Sequence, residues 1–173
     1  MIDNEMPCEW MDEELTERLG ITVVDGRKVA NDDAANDFKE SRWVDDVIIV
    51  GADVVDDARD FVVYHEYKHY LDFIGRGIIP SDEHSSVRSS RIEKECDLYA
   101  LRRVVKESGL GAAEKAINWM VGYHFQWDAE HPEDPSDLLY RAILLYRFCR
   151  RQGLMVETVY NMRKLQKSQR WWR

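Results

Sequence analysis

Residues 64–74, Tyr64-His65-Glu66-Tyr67-Lys68-His69-Tyr70-Leu71-Asp72-Phe73-Ile74, decide how this chain is to be read. Upstream, Asp56 and Asp57 offer a helix start; downstream, Gly75 and Gly77 offer a stop. Tyr64, Tyr67, Leu71 and Ile74 recur at helical spacing, which predicts a helix over 57–74 with that stripe turned toward the core. On such a helix His65 and His69 stand four residues apart and project from one face, within reach of a single metal ion. Glu66 lies at the edge of the same face, where a carboxylate can take a proton from a metal-activated water and pass it to a leaving amine. An H-E-x-x-H string arises by chance in roughly one chain in a hundred of this composition, so its weight comes from the helical context rather than from the letters alone.

A catalytic zinc site takes three protein ligands and leaves a fourth position open. The next predicted helix, about 90–107 before Gly109, carries Glu93-Lys94-Glu95-Cys96-Asp97. Glu93 and Asp97 share one helical face, so one can ligate the metal while the other accepts the outward N–H of a ligating imidazole. A competing reading makes Ser90-Arg91-Ile92-Glu93 a capping box in which Glu93 only reaches back to the Ser90 N–H. Were the helix rotated, Glu95 would be the ligand instead.

The H-E-x-x-H pattern followed by E-x-x-x-D on a second helix resembles the gluzincin zinc metallopeptidases. Glu93-Lys94-Glu95-Cys96-Asp97-Leu98-Tyr99-Ala100 is similar to the E-x-E-A-D-x-x-A form of the HtpX-like peptidases and soluble minimal gluzincins, with Cys96 where alanine is usual. The ImmA/IrrE metallopeptidases share a similar helix pair and are the second resemblance. The likeness spans about residues 44–104. It implies Zn2+ as cofactor, His65, His69 and Glu93 as metal ligands, Glu66 as general base and acid, and Asp97 as the partner of a ligating histidine. It also implies that the strand Val44–Val50 aligns an extended protein or peptide substrate. Such enzymes need a donor for the tetrahedral oxyanion beyond the third ligand. His124, with Tyr123 beside it, is the candidate, although a Tyr-His pair there also reads as helix-end packing. His84 and His131 sit in polar sequence and read as solvated, while Trp119 and Trp127 read as core.

Outside this region, Glu9–Leu19 predicts a helix stopped by Gly20, and residues 21–30 predict a hairpin on the Asp25-Gly26 turn. Val44–Val50 is a β-branched run that predicts a strand in a small sheet, and 75–90 a polar connection. Further helices are expected at about 111–126, 136–152 and 154–168. Residues 138–148 are too short to cross a bilayer and read as a buried helix. The expected fold is α+β: a small zincin-like domain over 1–153 with a short twisted sheet of two to four strands, an active-site helix, a glutamate helix and a helical C-terminal part. A basic helix or tail is expected over 154–173.

With 45% hydrophobic and 33% charged residues, the composition is that of a globular domain rather than a disordered or fibrous chain. A net charge of −9 argues against a nucleic-acid binder as a whole. The charge is uneven: residues 141–173 hold nine Lys or Arg and only Glu157 as an acid. That segment is a candidate cleft cover, partner dock or nucleic-acid tether. Cys8, Cys96 and Cys149 form no C-x-x-C pair and read as free thiols in a reducing compartment. The N-terminus is acidic and no 18 apolar residues run together, so a cytoplasmic chain without a membrane role is expected. The alternative class is an interaction protein, antirepressor-like or ImmA/IrrE-like, in which zinc is structural or activity is restricted to one partner.

Overall fold

The computed structural model describes residues 7–29, 41–44, 46–76, 86–130 and 138–169, which belong to two units, Met1–Asp82 and Glu83–Arg173. In the first, a 3-10 turn at Cys8–Trp10 precedes α1, Glu13–Leu19. The helix expected from Glu9 starts later because Met11 forms a bridge to Val24 and Asp12 caps α1, accepting from Leu15 N at 3.0 Å. Gly20 ends it in the left-handed conformation at φ 68°, its N–H bonded to Thr16 O at 2.9 Å.

The strands are β1 (Thr22–Asp25), β2 (Arg42–Val44) and β3 (Val47–Val50), in the sheet order β1-β3-β2. The hairpin expected on Asp25-Gly26 does not form. Asp25 Oδ1 accepts the Arg27 N–H at 3.1 Å, which turns the chain into a short helix, α2, Gly26–Val29. β1 pairs instead with β3, in parallel, with Val23 opposite Ile48. The single strand expected over Val44–Val50 is two strands: Val44 pairs with Val47, so β2 and β3 form an antiparallel pair. β3 therefore lies between its neighbours and is bonded on both edges, and it offers no edge to an extended substrate, contrary to the expectation for 44–50.

Alternation along the strands separates the two faces of the sheet. Val24 and Ile49 pack with Val29, against which Trp10 and Val47 are laid. Ile48 and its partner Trp43 face the opposite way, toward α3, Asp56–Arg76. That helix runs through Gly75, one of its two expected stops, and ends at Arg76; Gly77, the other, lies outside the described residues. Its fully buried side includes Ala58, Phe61, Val62, His69 and Asp72, while the expected stripe fades from buried Tyr64 to Ile74 at 58% exposed.

In the second unit α4, Ser86–Glu130, is broken at Gly109, whose φ of 86° and ψ of 179° are not helical. The break falls where the sequence placed it, with longer helical arms on both sides. α5, Leu138–Gln152, ends at Gly153 in the left-handed region, and Leu154 N bonds back to Cys149 O at 2.9 Å. α6, Glu157–Gln169, packs on α5 and α4. Ala113, Ile117, Met120 and Val121 of α4, Leu145, Phe148 and Cys149 of α5, and Val159 and Met162 of α6 are all buried. The outcome is an α+β chain, mostly helical with one three-stranded sheet. Among the described residues no helix is long and apolar enough to cross a membrane.

Candidate metal centre

His65, Glu66 and His69 lie in the middle of α3, six or more residues from its ends. The helix is fixed upstream by Arg59, which donates to Asp12 Oδ2 at 2.6 Å and also pairs with Asp25. Arg27 completes the network, reaching Asp25 Oδ2 at 3.0 Å and pairing with Asp56 on the first turn of α3. Burial by itself would raise the Asp25 carboxyl, but hydrogen bonds from Arg27 and Arg59 outweigh it and hold the group down at about 2. The charges thus tie the start of α3 to α1, β1 and α2. Downstream, Lys68 pairs with buried Asp72 one turn on.

Between these anchors the two imidazoles converge. The Nε2 atoms of His65 and His69 are 3.2 Å apart, with ring centroids at 5.0 Å and planes at 65°. Two nitrogens each about 2.05 Å from a tetrahedral zinc are separated by about 3.3 Å, so the observed spacing is the bite that such an ion requires. Phe61, one turn earlier, packs against His65 with a centroid distance of 6.1 Å. His69 is 6% exposed. Glu66 is half-buried and lies about 60° around the helix axis from His69, beside the face that carries the two histidines.

Glu93 and Asp97 are on the first arm of α4, one turn apart. Asp97 and its neighbours Cys96 and Lys94 are buried, and Glu93 is half-buried. Because α4 begins at Ser86, Ser90–Glu93 falls inside the helix and the capping-box alternative loses its basis. Glu95 points to a different face, where Arg91 Nε donates to its Oε1 at 3.1 Å. On the second arm His124 is half-buried, with its ring 5.7 Å from Tyr123, which stacks on Trp119 at 5.5 Å. The expectations for His84 and His131, and for the Trp127 side chain, lie outside the described residues.

The Asp12–Arg59–Asp25–Arg27 network went unread in the sequence because its members are up to 47 residues apart. The Lys68–Asp72 pair also went unread, although a Lys-x-x-x-Asp spacing on a helix is the signal that marks it. Cys8 is exposed, the Cys96 and Cys149 thiols are buried, and none of the three is in a disulfide. Burial pushes the Cys149 thiol up to about 11.

Comparison with known proteins finds no matching family model, no similar curated protein and no similar solved structure.

Proposed function

We propose that the chain is a zinc metallopeptidase with a zincin-like arrangement, in which His65, His69 and Glu93 hold the ion. The observation that carries this reading is the 3.2 Å approach of the two Nε2 atoms on α3, with a glutamate next in sequence to the first histidine. Two imidazoles and a carboxylate are a donor set suited to Zn2+, and three protein donors are the number a catalytic site uses. A zinc ion held there would supply Lewis acidity toward a substrate carbonyl and an attacking water.

The chain's own residues do the rest. Glu66 takes the proton from the attacking water and delivers it to the amide nitrogen as the C–N bond breaks. Asp97 accepts the outward N–H of a ligating imidazole and fixes its tautomer. His124 is the assigned donor to the oxyanion. Substrates in this reading are proteins or peptides, and the strand that aligns an extended chain is β2, at the end of the sheet order. Three cysteines outside any disulfide suit a reducing, cytoplasmic setting. The basic segment after residue 153 is the place for a nucleic-acid or partner contact.

The test is Glu66→Gln. It removes the base without removing a ligand, so metal content should stay at the wild-type level while peptide hydrolysis falls by roughly 100-fold or more. Hydrolysis that survives the substitution would refute the role of Glu66. Wild-type protein that holds zinc and hydrolyses nothing would favour the alternative of a regulatory interaction protein with a structural site.

A further inference from the structure

α5 divides its surface between packing and charge. Leu145, Phe148 and Cys149 are buried where the helix packs with α4 and α6, whereas Arg147, Arg150 and Arg151 are exposed. At about 100° per residue the three arginines fall within a sector of roughly 100°, on the side away from those core positions. Among the described residues no carboxylate pairs with any of the three. Glu157 is the one acid between residues 141 and 173. Cations of one sign, grouped and unpaired, set up a field that attracts polyanions.

The composition of this face selects its occupant. Among the described side chains of α5 no apolar one is exposed. A protein partner is held by apolar and aromatic anchors at the centre of the contact, and a single-stranded nucleic acid by rings that stack on its bases. The face offers neither. A nucleic-acid duplex keeps its bases stacked inside and asks only for donors to its phosphates, to which guanidinium groups bind in a bidentate fashion. From Arg147 to Arg151 the helix rises about 6 Å, over which one strand of a duplex presents about two phosphates. A helix roughly 10–12 Å across also matches the major groove of B-form DNA, about 12 Å wide, whereas that of an RNA duplex is deep and narrow. We propose that Arg147, Arg150 and Arg151 form a docking face for duplex DNA, gripping its phosphate backbone without reading its sequence. The face is independent of the metal centre, and its failure leaves the hydrolase reading as it stands.

Fluorescence anisotropy of the full chain with a labelled DNA duplex of about 20 base pairs tests the proposal. Three phosphate contacts give a slope of about −2.7 for log K against log salt concentration, so binding should weaken roughly 40-fold from 50 to 200 mM salt. Combining Arg147→Gln, Arg150→Gln and Arg151→Gln should weaken binding at 50 mM salt by roughly tenfold or more and flatten that slope toward zero, with the thermal melt unchanged. A control combining Arg102→Gln and Lys106→Gln, two exposed cations on α4, should change affinity by less than about twofold. Single-stranded DNA, an RNA duplex and a polyglutamate peptide should each compete at least about fivefold less well than duplex DNA. Wild type that does not bind the duplex, or a triple variant that binds as tightly as wild type, overturns the proposal. Loss in the α4 control equal to that in the triple variant overturns the assignment to α5. Equal competition by the single strand, the RNA duplex or polyglutamate overturns duplex DNA as the occupant.

Discussion

Asp25→Asn is the perturbation whose size follows most directly from the structure. The carboxylate is 4% exposed and is held by Arg27 and Arg59, with its pKa lowered from 3.8 to about 2. A difference of nearly two units corresponds to about 2 kcal/mol of folding stability, and at this burial little is lost to solvent screening. Because the folded-state value is the depressed one, the contribution is complete above the unfolded-state pKa near 3.8. It disappears as pH falls through about 2. In the asparagine variant that pH-dependent increment is absent, and two guanidinium groups lose a charged acceptor, which adds a loss at neutral pH of roughly 2–4 kcal/mol in total. Urea unfolding followed by tryptophan fluorescence measures this, since Trp10 packs on the Val24, Val29 and Ile49 cluster beside Asp25. The stability gap between wild type and variant should shrink by about 2 kcal/mol from pH 7 to pH 2. A gap that stays flat across that range, or one below about 0.5 kcal/mol at pH 7, would refute the reasoning.

Gly109→Ala should destabilise the chain by roughly 1–3 kcal/mol, because φ 86° with ψ 179° is a conformation essentially restricted to glycine. No atom lies within 4 Å of an added Cβ, so the loss is backbone strain, and a thermal melt with an unshifted midpoint would contradict it. Thiol labelling of the native protein at pH 8 should modify Cys8 rapidly, with Cys96 and Cys149 reacting only on unfolding. Fast labelling of Cys149 would be incompatible with a buried thiol pushed up to about 11.

Local signals in the sequence were reliable where one residue controls one junction. Gly20 and Gly153 end their helices in the left-handed region, and Gly109 breaks the long helix where it was expected to. The convergence of His65 and His69 was equally legible, because an i, i+4 spacing on a helix dictates a shared face. The sheet was not. Asp25-Gly26 has the letters of a hairpin turn, but the Asp25 side chain is taken by Arg27 and Arg59, and β1 finds its partner 25 residues on, in β3. Strand pairing at that separation leaves no periodic trace in sequence. The Val44–Val50 run likewise hid a turn between two strands, and with it the identity of the central strand. The stripe on α3 was misplaced for a different reason. Tyr67 and Ile74 are apolar by type, whereas the side that is buried carries His69 and Asp72, whose polarity disguises it.

Zinc stoichiometry of the purified chain tests the central claim most directly. After loading and desalting, elemental analysis should find about one zinc per chain in wild type and in Glu66→Gln, and less than about a tenth of that in His65→Ala. Wild type that retains no zinc, or His65→Ala that retains as much as wild type, would contradict it.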